Sequence, residues 1–499
     1  LSVVLSLTTA RPHQLLEAQA DRMDVVTRYF GLPTAEGADP LDRTIASLDS
    51  LVARVYSTYD NGELWLLLTA LSGAFPYDRD VEHAIQFRDG HDAIEFTDWV
   101  ISASAISPSA SGSSVLPMRI IDSVPVIDVS SCALNDRQTG IQRVERETLP
   151  LWVRDHDLEL VAWARRDGSY RSLGEKERRR VVAWGTHKSV PADHVDEPRE
   201  LLVPFKTTIV LPEVANHDQS GRLRGIARHS GNRVTAIGYD MIPMMSPELM
   251  PKEMGADFLE YLGVIKYSSA IAGISQSATN EFTGFFTAVS REEPADATVV
   301  SVELPTAVPE KELAIPRPEN DEVIVLCVGS HEPRKNHGTV LHAAEKLWRE
   351  GIDFQLWFFG GGGWGTDFSD LVAALKKKGR KVELRRAVSD SVLWDAYRRA
   401  SFTVFPSLHE GFGLPIAEAL AFGTPTITTD YGSTREIAER GGCIMVDPRS
   451  DDEVHDAMRT LLTDHATRER LATEARGIPL RTWDEYASEL WKVLVDDVV

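Results

Sequence analysis

The sequence predicts an α/β protein: two strand–helix units behind an N-terminal helical extension. Three observations lead there. Residues 1–101 repeat apolar positions at spacings of three and four, the mark of amphipathic helices. After a Ser-, Pro- and Ala-rich stretch, short apolar strands alternate with helical runs, which implies a parallel sheet covered by helices on both faces. Near Asp321 the same alternation starts afresh.

In the extension, "HQLLEAQADRMDVVTRYFGL" is periodic and stops at Gly31, and "LDRTIASLDSLVARVYSTY" repeats the pattern. Residues 102–117, "SASAISPSASGSSVLP", have no periodicity and read as a linker. The first α/β unit is placed at 118–315. It has a strand in "VPVIDVS" and a helix, "TGIQRVERETLPLWV", that opens at Gly140. Further strands are expected in "ELVAWA", "TTIVLPE", "RVTAIGYDMIP" and "AIAGIS". The second unit, 316–480, has six candidate strands: "EVIVLCVGS", "FQLWFFG", "VELRRAV", "FTVFPS", "TPTITTD" and "GCIMVDP". Residues 481–499 form a last amphipathic helix.

A chain of 499 residues with 43% hydrophobic content can build an ordinary core in each unit. Its net charge of −22 argues against nucleic acid as a partner, because that binding is driven by Lys and Arg neutralising phosphates. Three distant cysteines, Cys132, Cys327 and Cys443, offer neither a disulfide framework nor metal spacing. They suggest a reducing, cytoplasmic compartment. No secretory leader and no membrane-length apolar run is evident; "LWLLLTALSGAF" is too short and reads as a core helix.

Two stretches of the second unit carry chemistry. In "FPSLHEGFGLPIAEALAFGTP" a strand ends at Pro406, and Gly411 and Gly413 allow tight turns or close approach to a ligand. Pro415 suits the first turn of a helix. Unpaired N–H groups around Gly413 and Leu414 make an anion site, bracketed by the carboxylates of Glu410 and Glu418. Carboxylates there would repel a phosphate but would accept hydrogen bonds from hydroxyls beside it. In "VGSHEPRKNH", Arg334 and Lys335 stand at the start of a helix, where cations are disfavoured unless an anion joins them. A diphosphate would serve, and would need no metal.

Glu410 and Glu418 in an E-x7-E spacing, the Gly-Phe-Gly-Leu-Pro between them and the Arg-Lys pair after Gly329 resemble the retaining GT-B glycosyltransferases of family 4 (glycosyl transferases group 1). The likeness is close over 320–475 and looser from "VIDVSS" to "AIAGISQSA". It implies two Rossmann-like domains facing across a cleft, with the last helix crossing back to the first. It also implies a nucleotide-sugar donor held mainly by the second domain, and a glycan or lipid-linked acceptor on the first. Arg334 and Lys335 would hold the donor diphosphate beside Gly329. Glu410 would contact sugar hydroxyls, with Gly411, Phe412, Gly413 and Leu414 around it. Glu418 would hold the ribose, and Val388 would lie by the base. In the first unit, Thr139, Gly140 and Arg143 would face the phosphates. Tyr239 and Asp240 stand where many members of the family have a His-Asp pair near the transferred sugar. The resemblance implies no cofactor beyond the nucleotide-sugar and no metal. The product fits bacterial surface polysaccharide, made in the cytoplasm with room for peripheral contact at the inner membrane face.

Two other classes fit parts of the sequence. One is a catalytically silent carbohydrate-binding or assembly protein, which the intact Glu410, Glu418, Arg334 and Lys335 set disfavours. The other is a dinucleotide oxidoreductase, suggested by "WFFGGGGWGTDF" at 357–368, where Gly360, Gly362 and Gly365 fit G-x-G-x-x-G. That fingerprint belongs on the first strand–helix turn of its domain, and this run follows the second strand. The Asp-x-Asp stretches at 78–80 and 155–157 follow no convincing strand and read as accidental.

Overall fold

The computed structural model describes residues 12–497 except 36, 38, 107–114, 137–138, 165–167, 186–199, 292–296, 307, 319–321, 364–367 and 387. Among the described residues, fifteen strands form two sheets. The first holds β1 (Met118–Ile121), β2 (Val126–Asp128), β3 (Glu159–Trp163), β4 (Tyr170–Ser172), β5 (Leu201–Pro204), β6 (Thr208–Leu211), β7 (Arg233–Gly238), β8 (Ala270–Gly273) and β9 (Thr298–Ser301). Its order is β1-β5-β4-β3-β2-β6-β7-β8-β9. Pairing is parallel except at β4, which runs antiparallel to β3 and β5.

The second sheet holds β10 (Ile324–Val328), β11 (Gln355–Phe359), β12 (Val382–Arg385), β13 (Phe402–Phe405), β14 (Thr426–Thr429) and β15 (Cys443–Val446). Its order is β12-β11-β10-β13-β14-β15, parallel throughout. The six apolar runs read from the sequence all become strands; the inner four, β11, β10, β13 and β14, are buried on both faces as a helix-covered parallel sheet requires, and the edge strands β12 and β15 are partly exposed. The chain winds outward from β10 to one edge, then restarts at β13 on the other side. The crevice between the carboxyl ends of β10 and β13 is therefore a topological switch point, where ligands bind in open α/β sheets. The loops leaving those two strands carry Arg334, Lys335 and Glu410.

The extension is helical, at Pro12–Tyr29, Pro40–Thr58, Asn61–Ser72, Asp78–Gly90 and Ala93–Ile106. Asp39 and Asp60 cap two of these helices, accepting from Leu41 N at 3.0 Å and Gly62 N at 2.7 Å. The last helix runs five residues into the stretch read as a linker, and 107–114 lie outside the described residues. The extension is continuous with the first sheet. Leu64, Trp65, Leu67 and Phe75 share one core with Val161, Trp163, Tyr170 and Leu202. Phe75 stacks on Trp65 at 5.4 Å and meets the rings of Tyr170 and Trp163 edge-on at 5.4 and 5.8 Å. Its N–H donates to Gly168 O at 2.7 Å.

The other face of the first sheet receives helix Gly140–Asp155 and the C-terminal helix Trp483–Trp491, which ends in a π turn at Lys492–Asp496. Trp152 Nε1 donates to Ala487 O at 2.8 Å and its ring meets Trp491 edge-on. The C-terminal helix thus leaves the second sheet's side and packs on the first. No helix among the described residues is long and apolar enough to cross a membrane.

Candidate active site

The loop after β10 turns at Gly329, whose φ of +146° favours glycine, and then makes a 3-10 turn at Pro333–Lys335. That turn sets both cations ahead of helix His337–Arg349. The anion that joins them here is Glu410. Arg334 Nη1 donates to Glu410 Oε2 at 2.7 Å and Lys335 Nζ to Oε1 at 2.6 Å. Arg334 Nε also reaches Glu332 Oε2 at 2.7 Å. Burial alone would raise the Glu410 carboxyl, but the adjacent Arg334 and Lys335 outweigh it and hold the pKa at about 2.

Beyond Glu410 the backbone passes Gly413, φ +119°, into helix Leu414–Ala421. Glu418, one turn in, is 2% exposed. Its Oε2 accepts from Tyr397 Oη at 2.9 Å and its Oε1 from Arg143 Nη1 at 3.0 Å. Burial pushes this carboxyl up, against Arg143 and Tyr397. Arg143 comes from the first unit, on helix Gly140–Asp155, and also lies over the Trp394 ring. Gly140 opens that helix opposite Leu414: a Cβ there would stand 3.9 Å from Leu414 Cδ1. The structure therefore brings Gly140, Arg143, Leu414 and Glu418 together across the cleft. Val388 lies in the loop between β12 and helix Asp390–Arg399, packed on the cluster that holds Trp394.

Asp240 and Gly411 meet at the cleft floor. A Cβ on Gly411 would stand 2.5 Å from Tyr239 O and 3.1 Å from Asp240 Oδ2, so only glycine lets the loops approach this closely. Ser275 Oγ donates to Gly411 O at 2.7 Å across the same seam. Asp240 accepts from Ile242 N at 3.1 Å, and burial raises its pKa against the nearby Arg334.

Two expected site residues point elsewhere. Tyr239, expected beside the transferred sugar, is 5% exposed and turned into the first unit's core, where its hydroxyl donates to Pro212 O at 2.8 Å. The turn that leaves β7 at Gly238 sets the two apart: Asp240 approaches Gly411, and Tyr239 faces inward. Phe412 likewise packs into the core shared with Ile237 and Ile416, and only its backbone borders the site.

Sequence reading missed His409, Ser246 and Glu281. His409 Nε2 lies 2.9 Å from Glu281 Oε1, and its Nδ1 lies 2.9 Å from Ser246 Oγ. Glu281 Oε2 also accepts from Met241 N at 2.9 Å. Burial would lower the imidazole pKa, but the Glu281 carboxylate raises it more. His409 adjoins Glu410 in sequence, which was a usable signal; Glu281, 128 residues away, gave none.

The glycine run at 360–363 serves loop packing. A Cβ on Gly360, φ +138°, would stand 2.2 Å from Gly329 O, and one on Gly363 2.6 Å from His331 O. These glycines let the turn after β11 lie against the turn after β10. Trp364 to Asp367 lie outside the described residues.

Residues 309–477 match the family profile "Glycosyl transferases group 1". The serotype-specific mannosyltransferase WbdA of Escherichia coli is 27% identical over 343 residues, 63% of this chain and 38% of that protein. The O-antigen chain mannosyltransferase B of Escherichia coli is 33% identical over 157 residues, 31% of this chain and 40% of that protein. This chain thus spans about two fifths of the length of the curated relatives it matches. In fold it is similar to Anabaena HepE, solved in complex with UDP and glucose, at a TM-score of 0.51 and 12% identity, covering 74% of this chain and 98% of that one. The fold is GT-B, and residues 309–477 match the glycosyl transferases group 1 profile.

Proposed function

We propose that this protein is a family 4 glycosyltransferase. It moves a hexose from a nucleotide-sugar to a glycan or lipid-linked acceptor, with retention of configuration and without a catalytic metal. The observation that carries this reading is the junction of Arg334 and Lys335 on Glu410 at the switch point of the second sheet. Two cations beside a helix N-terminus supply the positive charge that a diphosphate leaving group needs. As the donor enters, its diphosphate takes over Arg334 and Lys335, and Glu410 is freed to accept from sugar hydroxyls. Glu418 accepts from the ribose hydroxyls, with Val388 beside the base. Gly140 and Arg143 close on the donor from the first unit, and Asp240 borders the transferred sugar. The acceptor hydroxyl forms its bond to the anomeric carbon as the bond to the diphosphate oxygen breaks. The leaving phosphate oxygen takes the hydroxyl proton, so no strong side-chain base is required.

The mannosyltransferases among the relatives support mannose as the first sugar to test, ahead of glucose and rhamnose, and support surface polysaccharide as the product. The test is a panel of nucleotide-sugars scored for nucleotide release with and without lipid-linked or oligosaccharide acceptor. Turnover is expected to continue with EDTA in the assay. Arg334→Ala is expected to lower kcat/KM about 10- to 150-fold, the worth of one charge-assisted contact. Turnover of no nucleotide-sugar would sink the reading, and abolition by EDTA of a protein that stays folded would sink the metal-free mechanism.

A further inference from the structure

The first sheet has its own switch point, between β2 and β6, and buried there is a group that sugar transfer does not use. Cys132 follows β2 on the short helix Ser130–Leu134, Glu145 lies on helix Gly140–Asp155, and Glu213 follows β6. One thiol sulfur and one oxygen from each carboxyl lie within 4.8 Å of one another. Cys132 and Glu145 are fully buried. Neither Glu145 oxygen accepts a hydrogen bond of normal geometry; its polar neighbours are the Cys132 thiol and the Glu213 carboxyl. An unpartnered buried carboxyl facing a second carboxyl is costly unless a cation or a proton lies between them.

We infer that Cys132, Glu145 and Glu213 bind a divalent transition-metal ion, zinc by preference, beneath the cleft floor. The donor set favours it. One thiolate with two carboxylates suits a borderline ion and is too soft for magnesium or calcium. Glu213 is already ordered as metal-bound carboxylates usually are: its Oε2 accepts from Ser131 N and its Oε1 from Cys132 N, both at 2.9 Å. Zinc at its usual bond lengths needs donors about 3.5 Å apart, which modest side-chain rotation would reach. Glu213 is only partly buried, so an ion has a way in. A single proton shared by the two carboxyls is the competing arrangement, in which the thiol keeps its weak bond to Gln142 O at 3.9 Å. The cluster lies behind Tyr239 and shares no hydrogen bond or ion pair with Arg334, Lys335 or Glu410, so it would brace the first unit rather than take part in transfer.

The test uses the full chain, stripped with a strong chelator, dialysed and titrated with Co2+ alone. A thiolate-to-cobalt charge-transfer band is expected to saturate at one equivalent, to be displaced by Zn2+, and to be absent in Cys132→Ser. The chain purified without chelator is expected to hold close to one zinc by elemental analysis. Lack of a band in the unaltered chain overturns the inference and leaves the shared proton. So does a band that survives in Cys132→Ser, which would place the thiolate at Cys327 or Cys443. If Cys132→Ser does not fold, Glu145→Gln, which keeps the thiol, decides: the inference requires at least tenfold weaker Co2+ binding. Because the readouts are metal content and absorbance, failure here is distinct from failure of the glycosyltransferase reading.

Discussion

Arg143 and Glu418 join the two halves of the molecule: the Nη1 of one donates to the Oε1 of the other over 3.0 Å, and the carboxylate has almost no exposure. Removing the cation leaves a buried charge with only Tyr397 to serve it. Arg143→Ala is therefore expected to destabilise the chain by about 3 kcal/mol, as broken buried pairs do. Urea denaturation of the ligand-free protein measures this. A loss below 1 kcal/mol would mean that water reaches Glu418 freely and that the pair does not tie the halves together.

The Glu410 cluster gives stability a pH dependence of definite sign. Its folded pKa, about 2, lies below the ordinary glutamate value of 4.5. The stabilisation is thus complete above about pH 4.5 and fades as pH falls toward 2, amounting to a few kcal/mol at neutral pH. Glu410→Gln is expected to lower stability at pH 7 and to flatten the acid side of the profile. His409 acts in the opposite sense. Its folded pKa is raised, so its contribution is full below about 6.5 and is lost as pH rises through the folded value. Melting curves of wild type, Glu410→Gln and His409→Gln across pH 3–9 separate the two.

Gly411→Ala tests the seam between the domains. The added methyl would stand 2.5 Å from the Tyr239 carbonyl, so one loop must retreat. A loss of about 1–3 kcal/mol is expected, with a fall in transfer rate. Gly284→Ala is the control: it lies within helix Gln276–Val289 with open space around it, and is expected to gain a few tenths of a kcal/mol or more. Equal behaviour of the two variants would show that the seam is loose.

Tyr239→Phe removes a hydroxyl that serves only the Pro212 carbonyl. It is expected to cost about 1 kcal/mol of stability with kcat unchanged. A large fall in kcat at unchanged stability would restore Tyr239 to the reaction.

The second domain was the more legible half because its signals are local. Strand runs buried on both faces stand out as continuous apolar segments, and Arg334, Lys335, Glu410 and Glu418 lie within short motifs. The first sheet was harder. β1, β4, β5 and β9 were not read as strands, and β4 reverses direction inside an otherwise parallel sheet, which no local pattern announces. Tyr239 illustrates a second limit. Its place next to Asp240 was readable, but which neighbour faces the cleft depends on how the turn after β7 packs against Pro212. His409 with Glu281 and Cys132 with Glu145 and Glu213 are assembled by topology alone.

Phe75 links the extension to the sheet with its ring between Trp65, Trp163 and Tyr170 and its backbone on Gly168. Salt bridges from Lys206 to Asp60 and from Arg228 to Asp78 cross the same boundary. The helices before residue 107 are consequently a wall of the first α/β unit. A cut at the linker would strip one face of a nine-stranded sheet and leave aromatic surface open to aggregation. Chimaeras that replace the first unit should therefore exchange residues 12–315 as one block.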